Sequence, residues 1–181
     1  MRLLILFLLF SIFSFGQKIV YTITKKDGTE YKAKNFFTRN NFIELKLVSN
    51  DNVEIPYQLL DEIKYTVRRG KNKGNIVVSK FVKYSKNRGR MMRLLNYGKC
   101  EVFLYRDVSS GRISMNFYVL RENENYATWL GSKDLVSVMN YKKRALKYFK
   151  DCPLVIEKIK KKFKRKKIPE LVEFYNVNCT Q

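Results

Sequence analysis

The stretch CEVFLYRDVSSGRISMNFYV, residues 100–119, decides the fold class of this chain. Its first half places Cys100, Val102 and Leu104 on one face of a strand, because successive side chains of a strand point to opposite sides. Residues 109–111 supply a polar turn that ends in glycine, and every second residue from 113 to 119 is again apolar. A period of two on both sides of a short turn predicts an antiparallel hairpin.

The same pattern runs through the chain upstream of this hairpin. Alternating or β-branched stretches predict strands over residues 19–24, 30–37, 42–48, 53–57, 63–68 and 76–84. Asp27-Gly28 marks a tight turn, and Pro56 predicts an edge strand because proline cannot donate to a ladder. Residues 90–97 fit either a strand or a helical turn. Seven or eight short strands predict an antiparallel β-sandwich or a barrel-like sheet.

The period changes after Trp129, where three helices are predicted. Asn140 is placed as the N-cap of the first helix, whose apolar stripe includes residues 141, 145, 146 and 149. The second helix begins at Asp151-Cys152-Pro153, and the third begins at Pro169. The chain is therefore predicted to be α+β, with a β-rich domain over residues 17–130 and a helical segment over residues 131–181 packed on the sheet.

The first sixteen residues have the features of a secretory signal peptide. Arg2 precedes an unbroken apolar run over residues 3–13, and Ser14 and Gly16 are small residues at the −3 and −1 positions of a cleavage site. The run is too short to span a bilayer, which needs about 20 apolar residues. We expect an exported chain that begins at Gln17, has no transmembrane span after cleavage, and is periplasmic or extracellular.

Charge and composition narrow the functional classes. The 181 residues include 37 Lys and Arg against 16 Asp and Glu, a net charge of +21, of which the signal peptide holds only Arg2. Such a charge attracts anions in general, although a lysine-rich composition also arises from the base composition of a genome. The sequence contains no histidine. This excludes Ser-His-Asp and Cys-His catalysis and histidine-containing zinc sites.

The three cysteines lie in the exported part of the chain, where disulfides persist. Cys152 begins one predicted helix and Cys179 follows the next, so an antiparallel pair of helices brings them together. Cys100 shares its strand face with Val102 and Leu104. We therefore predict a disulfide between Cys152 and Cys179, and a buried thiol at Cys100.

The C-terminal pattern of Asp151-Cys152-Pro153, Tyr175-Asn176 and Cys179 resembles that of small, uncharacterised secreted proteins of Bacteroidetes-type bacteria. The resemblance covers residues 90–179. Those proteins have no established activity, so the resemblance implies an exported compartment and a helical C-terminal segment, and it implies no function.

A first basic patch occupies residues 64–93, which contain no acidic residue. Cations on strands and loops, interleaved with aromatic residues, can hold a polyanion. The same pattern also fits the solvated faces and turns of an edge hairpin. The patch comprises Lys64, Arg68, Arg69, Lys71, Lys73, Lys80, Lys83, Lys86, Arg88, Arg90 and Arg93.

A second basic patch occupies residues 158–167 and is predicted to be an amphipathic helix, with Ile159 and Phe163 on its apolar stripe. Such a helix can lie on an anionic membrane surface. It can equally pack its stripe on its own domain and leave the lysines in water. The patch comprises Lys158, Lys160, Lys161, Lys162, Lys164, Arg165, Lys166 and Lys167.

One pattern points to catalysis. Asp27 followed by Glu44-Leu45-Lys46 imitates the metal site of restriction-type nucleases, in which carboxylates hold Mg²⁺ and a lysine supports the attacking water. Glu44 and Lys46 also fit the polar face of a half-exposed strand. No other catalytic constellation, cofactor site or metal site is indicated.

Together these features predict a non-enzymatic exported module that binds through a basic surface. The expected partners are lipid head groups, acidic polysaccharide or nucleic acid. Two alternatives are a metal-dependent hydrolase such as a secreted nuclease, and a purely structural envelope protein.

Overall fold

The computed structural model describes residues 19–67, 70–109, 111–132, 138–161, 164 and 167–179. Within these ranges ten antiparallel strands precede three helices, which confirms the predicted α+β class. The strands are β1 (Tyr21–Lys25), β2 (Glu30–Thr38), β3 (Phe42–Leu47), β4 (Asn52–Pro56), β5 (Leu60–Thr66), β6 (Ile76–Ser85), β7 (Arg88–Asn96), β8 (Cys100–Ser109), β9 (Arg112–Arg121) and β10 (Thr128–Ser132). The helices are α1 (Val138–Tyr148), α2 (Pro153–Lys160) and α3 (Ile168–Asn178).

The strands form one open sheet in the order β10-β9-β8-β7-β6-β5-β1-β2-β3-β4. The sheet is not closed into a barrel, because the chain returns from β4 to pair β5 with β1 and leaves β4 at the edge. Pro56 lies in that outermost strand, where a missing donor is tolerated. The opposite edge, β10, is covered by α1, and Arg144 Nε donates to the Leu130 carbonyl oxygen at 3.0 Å.

The first half of the sheet, β1–β5, encloses its own core. The helices pack mainly on β7, β8 and β10, so the apolar side chains of this half are buried against one another. The buried residues are Ile23, Ala33, Ile43, Leu45, Ile55, Tyr57, Leu60 and Ile63.

A second core lies on the opposite face of the sheet, over β6–β8. Strand register places Val78, Leu94 and Phe103 in line across β6, β7 and β8, on the face opposite Ile63. These residues belong to a separate core with Val82, Met92 and Ala127. The Ala127 N–H donates to the Lys83 carbonyl oxygen at 2.8 Å, so the segment before β10 returns to β6.

The helices cover the other face of β7–β10. Cys100, Val102, Phe117 and Val119 form a third core with apolar side chains of all three helices. Burial of each large apolar side chain stabilises the fold by about 1.5–3 kcal/mol. None of the described helices is long and apolar enough to cross a membrane.

Several element boundaries differ from the sequence prediction. Residues 90–97, for which strand and helix were both open, belong almost entirely to β7. The N-cap prediction at Asn140 is wrong, because α1 begins at Val138 and Asn140 lies within its first turn. Pro153 opens α2 as predicted. Proline lacks a backbone N–H, and in the first turn of a helix an N–H would have no intrahelical acceptor, so nothing is lost there.

The second basic patch does not form the continuous helix that was predicted. Helix α2 ends at Lys160, and α3 begins at Ile168. Lysines at helical spacing repel one another, which opposes extension of α2 through residues 161–167. Lys162, Phe163, Arg165 and Lys166 lie outside the described residues, as do residues 1–16 with the expected signal peptide.

Candidate functional site

The residues of the C-terminal motif connect the helices to one another and to the sheet. We call this group the clasp: Asp151, Cys152, Tyr175, Asn176 and Cys179. Cys152 and Cys179 are joined by a disulfide with a Cα separation of 5.8 Å, which confirms the predicted pairing. The Tyr175 hydroxyl donates to Asp151 Oδ2 at 2.6 Å, and Arg121 Nη2 donates to Asp151 Oδ1 at 2.7 Å. The disulfide is consistent with an oxidising, exported location.

Asn176 connects the clasp to β8. Its Nδ2 donates to the Cys100 carbonyl oxygen, and its Oδ1 accepts from the Cys100 N–H, both at 2.8 Å. A Cβ at Gly98 would lie 2.3 Å from that Nδ2, and the φ of Gly98 is +141°, so glycine is required there. The side chains of Asp151 and Asn176 are thus hydrogen-bonded within the protein, and the motif stabilises the packing of the helices on the sheet.

Cys100 is a free, buried thiol, as predicted. Burial raises the pKa of the Cys100 thiol to about 12, so the thiol stays protonated at neutral pH. A protonated, buried thiol is a weak nucleophile and behaves as a small core residue.

An open cleft of about 850 Å³ is lined by residues of the first half of the sheet and by residues of β6, β7 and β9 with their connections. We call it the basic cleft. Its walls come from the turn after β1, the β2–β3 and β4–β5 connections, the β6–β7 hairpin and the β9–β10 connection. The first half and the second half therefore both contribute side chains to it.

Among the described residues that line the basic cleft, five are cations and one is a carboxylate: Lys26, Lys80, Lys83, Lys86 and Arg88, with Asp61. Lys80 is paired with Glu101 at 2.8 Å. The other four cations make no ion pair with a described carboxylate, and all four are exposed. The cleft therefore carries uncompensated positive charge.

Two stacked rings, Tyr57 and Phe81, line the basic cleft. The Tyr57 and Phe81 rings are nearly parallel with centroids 4.1 Å apart, and the Tyr57 hydroxyl donates to the Arg39 carbonyl oxygen at 2.6 Å. A Cβ at Gly89 would lie 2.3 Å from Phe81 Cζ, so glycine lets the Phe81 ring lie across the hairpin. Burial raises the pKa of Tyr57, which stays a neutral donor.

The structure distributes the first basic patch over both ends of β6. Lys71 and Lys73 lie in the turn before β6, whereas Lys83, Lys86 and Arg88 lie at its far end. Seven strand residues, 76–82, lie between these two groups, a span of about 23 Å. Only the second group lies at the basic cleft, together with Lys80.

The remaining cations of the first patch have other surroundings. Lys64 pairs with Glu62. Arg90 Nε donates to the Tyr84 hydroxyl at 3.1 Å, and its guanidinium carbon lies 4.6 Å from the Tyr105 ring centroid. Arg93 is exposed and pairs in register with Leu104. Arg68 and Arg69 lie outside the described residues.

The described cations of the second basic patch are partly neutralised by their neighbours. Lys161 pairs with Glu157, and Lys167 pairs with Glu170 at 3.0 Å. Lys158 Nζ lies 3.6 Å from the Phe174 ring centroid. Lys160 and Lys164 are exposed.

The residues of the nuclease-like pattern have local structural partners. Asp27 accepts from Lys25 Nζ at 2.8 Å and from the Thr29 N–H at 2.9 Å, which fixes the β1–β2 turn. Glu44 accepts from Arg39 Nη2 at 2.8 Å, and Lys46 is exposed on the same strand. The described part of the chain contains no group of three or more Cys, Asp or Glu that could hold a metal ion.

Lys26 is a cleft residue that the sequence analysis missed. In the sequence it is only part of the β1–β2 turn, and its N–H donates to the Leu59 carbonyl oxygen at 2.9 Å. That bond joins the turn to the β4–β5 connection, which no local pattern predicts.

Comparison of the chain with protein-family models, with curated proteins and with solved structures finds no match.

Proposed function

We propose that the protein is an exported, non-catalytic module that binds polyanions in the basic cleft. The observation that carries the proposal is a group of four exposed cations that form no ion pair with any carboxylate in the described part of the chain, Lys26, Lys83, Lys86 and Arg88. A carboxylate next to a cation cancels much of the electric field that would attract an anionic ligand. A cation without such a neighbour keeps its full attraction for the ligand. Concave walls of one charge sign also focus the electric field on an incoming anion.

Export supports the same proposal. An apolar N-terminal run with a small-residue cleavage site and a disulfide both suit a protein of the envelope or of the extracellular space. Anionic polymers and anionic surfaces are abundant there.

The test compares two variants of equal net charge. The cleft variant carries Lys83→Gln, Lys86→Gln and Arg88→Gln. The control variant carries Lys71→Gln, Lys73→Gln and Lys143→Gln, three exposed cations away from the cleft. Affinity for heparin, a probe polyanion, is measured by titration at several salt concentrations.

We expect the cleft variant to lose about tenfold or more in affinity, and its log–log salt slope to fall by about two to three, because each lost contact releases fewer counterions. The control variant should lose less than about threefold. Equal losses in both variants would mean that only net charge matters, and the proposed site would be abandoned.

The alternative functions predict other outcomes. A Mg²⁺-dependent nuclease would cleave plasmid DNA, and Glu44→Ala would abolish the cleavage. A purely structural envelope protein would bind heparin with no dependence on which cations are removed.

A further inference from the structure

The basic cleft is lined by side-chain amides as well as by cations. Five exposed carboxamides contribute to its walls: Asn40, Asn41, Gln58, Asn87 and Asn125. None of these side chains is hydrogen-bonded to another described residue, so their donors and acceptors face solvent. They come from four separate connections of the fold and meet only at the cleft.

Side-chain amides and unpaired cations suit a specific combination of ligand groups. A carboxamide presents two donors and one carbonyl acceptor, which match a sugar hydroxyl that both donates and accepts. A lysine ammonium or an arginine guanidinium presents donors alone, which match a carboxylate or a sulfate. The lining therefore suits a ligand that carries hydroxyls and acidic groups along the same chain.

The aromatic rings of the lining are already engaged within the protein. Tyr57 is 8% exposed and stacks on Phe81. Tyr84 contacts the Arg90 guanidinium, 5.3 Å from its ring centroid, and the Tyr118 ring at 5.9 Å. Proteins that hold single-stranded nucleic acid stack its bases on free aromatic faces. These rings are poor platforms for that purpose, which disfavours nucleic acid as the ligand.

We infer that the ligand of the basic cleft is an acidic polysaccharide. This inference rests on the proposed polyanion-binding function. The acidic groups of the polymer lie against Lys83, Lys86 and Arg88, and its hydroxyls exchange hydrogen bonds with the carboxamides. The stacked Tyr57–Phe81 pair joins the β4–β5 connection to β6 at the cleft.

The test uses variants that leave the charge unchanged. The amide variant carries Gln58→Ala and Asn125→Ala, and the control carries Asn72→Ala and Asn75→Ala, two exposed asparagines of the β5–β6 turn. The probes are a polygalacturonate oligosaccharide, an oligo(dT) strand of equal charge, and vesicles that contain anionic lipid. Equal urea midpoints of both variants establish that each is folded.

We expect the wild-type protein to bind the oligosaccharide about tenfold more tightly than oligo(dT). The amide variant should lose about fivefold or more in affinity for the oligosaccharide alone, because two hydrogen-bonding side chains are removed and the charge is unchanged. The control variant should bind as the wild type does.

Other outcomes separate this inference from the proposed function. Tighter binding of oligo(dT), binding to vesicles alone, or an amide variant that binds as the wild type does would overturn the polysaccharide assignment. The polyanion-binding function would still hold if the cleft charge variant lost affinity. If that charge variant also bound as its control does, both the assignment and the function would be wrong.

Discussion

At the residue scale, Asn176 supplies hydrogen bonds that no strand provides to Cys100. Asn176→Ala would leave the N–H and the carbonyl oxygen of that half-buried backbone without these partners. We expect the free energy of unfolding to fall by about 1–3 kcal/mol, the usual cost of an unsatisfied buried donor or acceptor. Urea denaturation at neutral pH measures this loss.

Asn178→Ala in the same helix is the matched control for Asn176→Ala. Asn178 Nδ2 donates to the Phe174 carbonyl oxygen at 2.8 Å in an exposed position, where water can replace it. The control should therefore cost less than about 1 kcal/mol. If the two substitutions cost the same, the special role assigned to Asn176 is wrong.

The carboxylate of Asp151 makes the free energy of unfolding depend on pH in the acid range. Partial burial alone would raise the pKa of Asp151, but hydrogen bonds from Tyr175 and Arg121 outweigh it and hold that pKa below the ordinary value. A lowered pKa adds stability above the unfolded-state pKa of about 3.9, and this stability is lost as the pH falls through the folded-state pKa. The gap in urea midpoint between the wild type and Asp151→Asn should therefore be widest near pH 7 and narrow below about pH 4.

The size of this acid effect is modest, because 42% of the Asp151 side chain is exposed and solvent screens the interaction. Asp61→Asn serves as the control, since Asp61 is exposed and has no ion pair with a described cation. A gap between wild type and Asp151→Asn that stayed constant down to pH 2.5 would contradict the prediction.

At the element scale, the disulfide holds the start of α2 against the end of α3. It closes a loop with a sequence separation of 27 residues. Constraint of the unfolded chain by such a loop is worth about 3 kcal/mol. The double variant Cys152→Ala, Cys179→Ala should have a free energy of unfolding lower by that amount, as measured by urea denaturation. In reducing agent the wild type should unfold at the same urea concentration as the double variant. A wild-type protein unaffected by reduction would refute the prediction.

Elements with local sequence signals could be predicted, and those with mixed signals could not. The hairpin over residues 100–119 follows from its period of two, and α2 follows from Pro153 at its first position. In β7, by contrast, Arg90, Met91 and Met92 suit a helix as well as a strand, and pairing with β6 and β8 decides the outcome. In the second basic patch α2 ends at Lys160, although the apolar stripe predicted a longer helix, and repulsion between lysines at helical spacing opposes its extension.

At the scale of the whole molecule, export is testable directly. The apolar run at residues 3–13 and the small residues Ser14 and Gly16 predict cleavage that leaves Gln17 as the mature N-terminus. Mass spectrometry of the protein from its native source should show a chain that begins at Gln17. An intact Met1 in that material would remove the argument for export and its support for the proposed function.

The basic cleft could be predicted only in part. Lys83, Lys86 and Arg88 are close in sequence, so the basic patch contained them. Lys26 and the carboxamides belong to other connections of the fold and meet those cations only in the folded protein. The long-range contacts there include the pairing of β5 with β1 and the Ala127–Lys83 hydrogen bond, neither of which leaves a local pattern.

The open sheet also bears on how copies of the chain meet. Unpaired edge strands invite strand addition by a neighbour, which seeds fibres and aggregates. Here one outer strand ends in Pro56, which offers no N–H, and on the other Arg144 occupies the Leu130 carbonyl oxygen beneath α1. A second copy that added a strand beside β10 would have to displace that arginine, and one that added a strand beside β4 would find no donor at Pro56. Both features disfavour growth of the sheet from one copy to the next.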